Sequence, residues 1–433
     1  MKLNVKQIVP VAIAASLFST MVIAKSEILQ TNTGTISEIG DWMQIIIPTG
    51  AMVGSLAIGD TEGAWQLTKG LGTSATITHG LKFVYRKMRP DGTKPNSFPS
   101  GHTSAAFAGA AYLHHRYGDA WAVPAYGAAV FVGFSRVHAN RHFIDDVMAG
   151  GAISVLTSLY FTEPYHQSDL MLVPSITEDG FAVNASYVFG REKKQRAGYS
   201  NVRDSTDLRN SYSLFIGGSS TKRNSINDGM NIPFDLYHFG RDNEPNTYAA
   251  SHLTFGISDN QYINLSFTPY ESRTQKEHME DVKFKSETYL AGNEIVTAYS
   301  LWNATADYMF ELLPDSNWKL DVGVGLSMSL LSFRMDYVAG EHLAEAGNFF
   351  VAPSVATEVG YQLTDKLSAN LGMRITASSM LNSQDVWSSI DYKFNHRWAA
   401  SIVVGSFEQQ VESKHISNDL SLDYSGFNVK YSF

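Results

Sequence analysis

The hydrophobic pattern of this chain changes period once, after Glu163-Pro164, and the two sides of that point cannot share one architecture. Between Trp42 and Phe161 the apolar residues come in runs rich in Ala, Gly, Val and Leu, such as Ala120–Ser135 and Val147–Thr162. Uncharged runs of about 16 residues suit helices buried in a bundle better than membrane spans, which need about 20. Residues 25–163 are therefore expected to form an all-α helical bundle.

Beyond Pro164 strict alternation takes over. Leu367, Ala369, Leu371, Met373 and Ile375 interleave with Ser368, Asn370, Gly372, Arg374 and Thr376, the period of a strand with one apolar and one polar face. Leu320–Leu330 and Val355–Leu363 repeat the pattern, with Asp321, Gly323, Glu358 and Gln362 on the polar side. Short turns such as Asp365-Lys366, Asn395-His396 and Pro314–Asn317 join some strands, while Arg191–Asn210, Ser219–Asn246 and Asp336–Asn348 are long polar connections. Short turns on one side and long loops on the other are the habit of an antiparallel transmembrane β-barrel. A soluble sandwich alternates too, but segments of 9 to 13 residues behind an export signal favour the barrel. A linker over 164–180 and a barrel over 181–433, with an even number of strands and 12 expected, follow. Asp307, Asp321, Glu358, Arg374 and Asp391 fall on the polar face with both signs mixed, which suits a paired or plugged interior more than a wide pore. The last strand, Phe427, Val429, Tyr431 and Phe433, resembles the terminal signature that barrel assembly machinery recognises.

Lys2 and Lys6 precede an apolar stretch from Ile8 to Ala24 that closes on Val22-Ile23-Ala24, so residues 1–24 are expected to be a cleaved signal peptide. The chain has no cysteine, which rules out disulfides and thiolate metal sites. A net charge of −9 argues against a nucleic-acid partner, since phosphate backbones need a basic face. A local basic pocket for a phosphorylated substrate is still compatible with it.

Three segments of the helical part carry chemistry: Lys82 with Arg89-Pro90, Pro99-Ser100-Gly101-His102, and Ser135-Arg136 with His142 and Asp146. Each alone has a bland explanation, as a solvated helix face, a turn, or a local surface pair. In this order and spacing they resemble the type 2 phosphatidic acid phosphatase superfamily, which also holds bacterial acid phosphatases and vanadium haloperoxidases. The resemblance runs from about Ser74 to Leu156 and does not touch the strand-patterned part.

A phosphate monoester carries close to two negative charges, and its hydrolysis is governed by positioning and charge handling. Lys82, Arg89 and Arg136 supply three cations, two of them able to make forked contacts with phosphate oxygens. Ser100 stands just before a helical run from His102 to Arg116, where it can cap the helix while the first N–H groups point at an anion. Gly101 lets the backbone approach closely. His142 and Asp146 are spaced so that, at a helix start, the carboxylate can hold one ring nitrogen protonated and leave the other free.

The resemblance implies that His142 is the nucleophile of a phosphohistidine intermediate, that Asp146 orients it, and that Ser100 and the Gly101 amide complete the phosphate cradle. It implies that His102 protonates the leaving alkoxide and then activates water. Asp145 competes with Asp146 locally, and the family spacing favours Asp146. His138 has no role in the pattern and is read as a pocket-lining or core histidine. Neither metal nor cofactor is expected, because the cations are already organic.

The function expected is a metal-independent phosphatase at the periplasmic side of an outer membrane, tethered by its barrel. Its substrate would be a phosphorylated lipid (phosphatidic acid, phosphatidylglycerol phosphate, undecaprenyl diphosphate or lipid A) or a small soluble phosphate ester. Three alternatives stand beside it. A vanadium haloperoxidase would need vanadate where a phosphatase is inhibited by it. A channel or transporter would carry a degenerate phosphatase domain. A bifunctional lipid A enzyme would use His415, Ser417 and Asp423, whose His-Ile-Ser-Asn segment partly resembles outer-membrane lipid A 3-O-deacylases.

Overall fold

The computed structural model describes residues 33–165, 170–177, 180–187, 210–236, 246–314, 316–338, 340 and 343–433. The expected signal peptide at 1–24 and most of the polar connection 191–210 lie outside the described residues. Two compact units divide the chain: described residues within 1–81, 99–142 and 146–207 form the first, and those within 82–98, 143–145 and 208–433 form the second.

Five helices are described: α1 (Thr33–Ala57), α2 (Thr61–Tyr85), α3 (Gly101–Tyr117), α4 (Asp119–His138) and α5 (Ile144–Phe161). The small side chains of the Ala-rich runs bring their axes together. Ala106, Phe107, Ala110 and Ala111 of α3 pack on Ala122, Ala125, Tyr126 and Ala129 of α4, with Met43 and Ile47 of α1 against them. α5 is long and apolar enough by composition to cross a membrane, and most of that stretch is buried inside the protein. Polar groups in this interior are bonded to one another: Ser74 Oγ lies 2.7 Å from both Ser104 Oγ and Ser154 Oγ. At the other end of α3, Arg116 Nε donates to Asp60 Oδ2 at 2.8 Å and Arg116 Nη1 to the Glu163 carbonyl at 2.8 Å.

Strands β1 (Leu170–Thr177) and β2 (Gly180–Tyr187) form an antiparallel hairpin of their own, closed at Thr177 and Gly180. The barrel begins only at β3 (Ser211–Asn227) and continues through β5 (Asn246–Ser258), β6 (Gln261–Glu277), β9 (Glu294–Glu311), β10 (Trp318–Tyr337), β11 (Ala344–Gln362), β12 (Leu367–Ala377), β13 (Leu381–Lys393), β14 (Trp398–Val411) and β15 (Ser417–Ser432). β15 pairs with β3 from Ser417 opposite Asn227 to Ser432 opposite Ser211, so the sheet closes and has no free edge. A two-residue strand, β4 (Phe234–Asp235), adds to β3, and β7 (Val282–Phe284) pairs with β8 (Glu287–Tyr289) in a separate hairpin.

The even, antiparallel, closed barrel matches expectation, but ten strands close it in place of the twelve expected. Two physical causes account for the difference. The segment expected to supply the first barrel strand spends its backbone hydrogen bonds in the β1–β2 hairpin. Several strands are also longer than the sequence spacing implied, with β10 reaching 20 residues and β11 reaching 19, so each consumes more chain.

Alternation is realised as two faces. On β11, Phe349, Val351, Val355, Val359 and Tyr361 are exposed on the outside, while Phe350, Ala352, Ser354 and Ala356 are buried inside. An apolar cluster that includes Ile295, Leu331, Phe333, Met335 and Leu420 of the barrel strands packs with Phe284 and Tyr289 of the β7–β8 hairpin. The charged residues noted in the sequence are paired: Arg374 Nε donates to Asp307 Oδ2 at 3.0 Å, Lys319 Nζ to Glu358 Oε1 at 2.6 Å, and Asn370 Nδ2 to Asp391 Oδ2 at 2.8 Å. Tyr262 donates to Asp321.

Candidate active site

Ser100 is the N-cap of α3. Its extended backbone precedes the helix, its Oγ accepts from Thr103 Oγ1 at 3.0 Å, and its own N–H donates to the Asp146 carbonyl at 2.9 Å. That last bond ties the start of α3 to the start of α5. The contact is close because residue 150 is glycine: a Cβ there would stand 2.5 Å from the Ser100 carbonyl oxygen. Gly101 and His102 form the first turn of α3, where backbone N–H groups have no intrahelical acceptor and attract anions.

α4 ends at His138, and Asn140 follows in the left-handed region with φ 52°, a conformation asparagine tolerates better than most residues. The reversal folds the chain back so that the Arg141 N–H and the His142 N–H both reach the Arg136 carbonyl, at 3.0 and 3.3 Å. It delivers His142 to the start of α5, where Nδ1 lies 3.5 Å from Asp146 Oδ2 with both side chains buried. A buried imidazole beside a carboxylate four residues on has one nitrogen facing that carboxylate and the other turned away from it. Asp145, the local competitor, is engaged elsewhere: its carboxylate receives Lys87 Nζ at 2.6 Å and Thr247 Oγ1 at 2.8 Å, both within the second unit.

Arg136 is buried to 4% exposure, and the structure shows what holds its fork open. Nη1 donates to Asp41 Oδ1 at 2.6 Å, Nη2 to the Ser37 carbonyl at 2.5 Å, and Nε to Ser135 Oγ at 3.1 Å. Ser37 and Asp41 lie one helical turn apart on α1. Gly40 between them lets α1 press on α4, since a Cβ there would stand 2.7 Å from Ser135 Cβ and 2.9 Å from Arg136 Nη2. Asp41 Oδ1 also sits 2.9 Å from His102 Nε2. Burial, the Arg136 charge and the nearby His142 pull His102 down to about 4, while Asp41 pulls it up. Burial and Arg136 thus favour the neutral imidazole, and Asp41 favours the charged one.

Lys82 and Arg89, the other two cations of the motif, belong to the second unit. Both converge on one residue: Lys82 Nζ donates to the Asn96 carbonyl at 2.6 Å and Arg89 Nε to Asn96 Oδ1 at 3.0 Å. The first unit brings together Ser100, Gly101, His102, Arg136, His142 and Asp146. His138 stacks on Phe134, with ring centroids 5.6 Å apart, which suits a core histidine.

The second expected set is not assembled. Ser417 opens β15, and Asp423 lies six residues along the same strand, about 20 Å away at the rise of a β-strand. Asp423 is paired with Lys222 at 2.7 Å, and the His415 carbonyl accepts from Lys285.

Sequence reasoning did not find Ser37, Asp41, Lys87 or Asn96. A Ser and an Asp four apart around a Gly on one helix face was the only trace of the first pair, and such spacing is commonplace on solvated helices.

The chain matches the sequence model of the PAP2 superfamily over residues 63–168. The lipid A 4'-phosphatase of Helicobacter pylori is 31% identical over 166 residues, which is 36% of this chain and 83% of that protein. The lipid A 1-phosphatase of Porphyromonas gingivalis is 40% identical over 90 residues, and the match spans only 20% of that relative's length and 20% of this chain. Among solved structures, the crystal structure of Aquifex aeolicus LpxE aligns with a TM-score of 0.27 and 20% identity, covering 31% of this chain and 86% of that one. The outer membrane protease OmpT of Escherichia coli aligns with a TM-score of 0.35 and 11% identity, covering 53% of this chain and 98% of that one. A relative matched over most of its length, a family model lying on the same residues, and a capped helix beside a buried His–Asp pair agree: the chain belongs to the PAP2 superfamily.

Proposed function

We propose that this protein is a lipid-phosphate phosphatase anchored in an outer membrane by its own barrel, with a phosphate group of lipid A as its preferred substrate. The observation that carries the reaction class is the buried His142–Asp146 pair, set at the start of one helix against the capped N-terminus of another. His142 attacks phosphorus, its P–N bond forming as the ester P–O bond breaks. His102 gives a proton to the departing oxygen, then takes one from the water that releases phosphate. Arg136 and the α3 N-terminus stabilise the charge that develops on the equatorial oxygens, and the sequence motif assigns Lys82 and Arg89 to the same phosphate.

A lipid substrate is supported by two features. The relatives are a lipid A 4'-phosphatase and a lipid A 1-phosphatase. The helix that carries Asp41 also exposes Ile39, Trp42, Ile45 and Ile46, an apolar surface suited to acyl chains. The outward apolar face of the closed barrel supports membrane residence, with insertion by barrel assembly machinery and a phosphatase domain on the periplasmic side.

Mass spectrometry of outer-membrane lipids and undecaprenyl carriers from cells expressing the wild type or His142→Ala tests this reading. One extra phosphate on lipid A in the variant is the expected result. Accumulation on another lipid class would replace lipid A as the substrate, and identical profiles would overturn the phosphatase reading.

A further inference from the structure

We propose that Asp41 is the positioning residue of His102, giving the site two His–carboxylate pairs, His142 with Asp146 and His102 with Asp41. The inference rests on the phosphatase reading and deepens it.

Asp41 Oδ1 lies 2.9 Å from His102 Nε2 and 2.6 Å from Arg136 Nη1, so one carboxylate oxygen bridges the acid–base histidine and a phosphate-binding arginine. Its place is built into the fold. Ser37, one turn earlier on α1, holds the same guanidinium through its carbonyl at 2.5 Å and its hydroxyl at 3.2 Å. Gly40 removes the side chain that would keep α1 from Ser135 and Arg136. The charged and titratable groups facing His102 are Asp41, Arg136 and His142, and Asp41 alone among them favours the imidazolium.

The chemical consequence is specific. With Nε2–H donated to Asp41, the proton that His102 transfers is the one on Nδ1. That proton passes to the ester oxygen as the P–O bond breaks and its electron pair stays on oxygen. Nδ1 then accepts a proton from the water that attacks the phosphohistidine. Asp41 fixes the ring orientation and tautomer through both steps and holds the imidazolium against the charge of Arg136. A leaving group that needs no proton has little use for it.

The test uses the full-length enzyme in detergent micelles, with wild type, Asp41→Asn, Asp41→Glu, His102→Ala and the double variant Asp41→Asn/His102→Ala. The substrates are an alkyl phosphate and p-nitrophenyl phosphate. Asp41→Asn should lose about tenfold or more in kcat on the alkyl ester and far less on the nitrophenyl ester. The basic limb of its pH profile should move to lower pH, Asp41→Glu should recover part of the loss, and the double variant should be no slower than His102→Ala. Equal losses on both esters, additive losses in the double variant, or an unchanged pH profile would overturn the proposal. So would tighter inhibition by inorganic phosphate in Asp41→Asn with kcat unchanged, which would make Asp41 an occupant of the phosphate seat. An NMR titration of ¹³C-labelled His102 gives a readout independent of turnover: its midpoint should fall in Asp41→Asn, and an unmoved midpoint counts against the contact. Failure of the phosphatase reading is distinguishable, because wild type and His142→Ala would then be equally inactive on both esters while the titration still reports on Asp41.

Discussion

Lys87 Nζ stands 2.6 Å from the Asp145 carboxylate with both side chains buried, and this ion pair commits one of two adjacent aspartates to structure. Asp146, the other, is the carboxylate beside His142. Replacing Lys87 by Met leaves Asp145 buried without its cation, which costs about 3–5 kcal/mol when such a pair is broken from one side. The variant should melt well below wild type, and the apolar double variant Lys87→Met/Asp145→Leu should recover much of the loss. Thermal and urea unfolding measure both. A Lys87→Met protein as stable as wild type would show that the pair contributes nothing.

The same arrangement separates the two aspartates in the proposed reaction. Asp146→Asn keeps the volume but removes the negative charge 3.5 Å from His142 Nδ1, so kcat should fall by on the order of 10³ or more while the melting temperature changes little. Asp145→Asn should show the opposite balance, a loss of stability with kcat within about tenfold of wild type. Steady-state kinetics and melting on both variants give the comparison, and a swapped outcome would reassign the partner of His142.

His115 predicts acid sensitivity of the helical unit. Burial, with the neighbouring His114 adding to it, pushes its imidazole down to about 3 from an ordinary 6.5, and its Nδ1 lies 2.9 Å from Ser158 Oγ. Because the folded value is depressed, the unfolded chain binds the extra proton first. The stabilising contribution is therefore complete above about pH 6.5 and is lost as pH falls from there toward 3. The melting temperature should decline from pH 7 to pH 4, and His115→Asn, which cannot take up the proton, should flatten part of that decline. A wild-type profile that is flat across this range would contradict the assignment.

The barrel interior bears on whether this protein conducts. Phe333 of the barrel packs in an apolar cluster with Phe284 of the β7–β8 hairpin, and Arg374 is bound to Asp307, whose other oxygen accepts from Ser354 Oγ at 3.0 Å. Buried, paired charges and packed apolar residues argue against a wide water-filled pore. Purified full-length protein should give no steady channel conductance in planar bilayers. Arg374→Met strands a buried carboxylate and should weaken the folded barrel, read as a lower temperature for loss of its heat-modifiable gel mobility. Stable, ohmic channels from the wild type would favour a transport role.

The fold was legible where a periodic signal is long. Alternation in Leu367–Ile375 and in Val355–Leu363 identifies strands because a two-faced wall writes itself into every second residue, and the structure pairs those segments residue for residue. Strand number was not legible, because it depends on which segments pair with one another. Nothing local in Leu170–Tyr187 states that it closes on itself, and that one hairpin removes a strand from the barrel.

The site divides in the same way. Lys82, Arg89, Ser100, His102, Arg136, His142 and Asp146 stand at spacings carried by the chain itself, and Ser100 and the His142–Asp146 pair act across a single turn of helix, so the sequence alone determined them. Asp41 reaches Arg136 across 95 positions, through a helix crossing that Gly40 permits, and Lys87 meets Asp145 across 58. No local pattern encodes such contacts, because they follow from how helices and segments pack. The sequence determined which residues carry the proposed chemistry, and only the tertiary structure decided which carboxylate stands beside which cation.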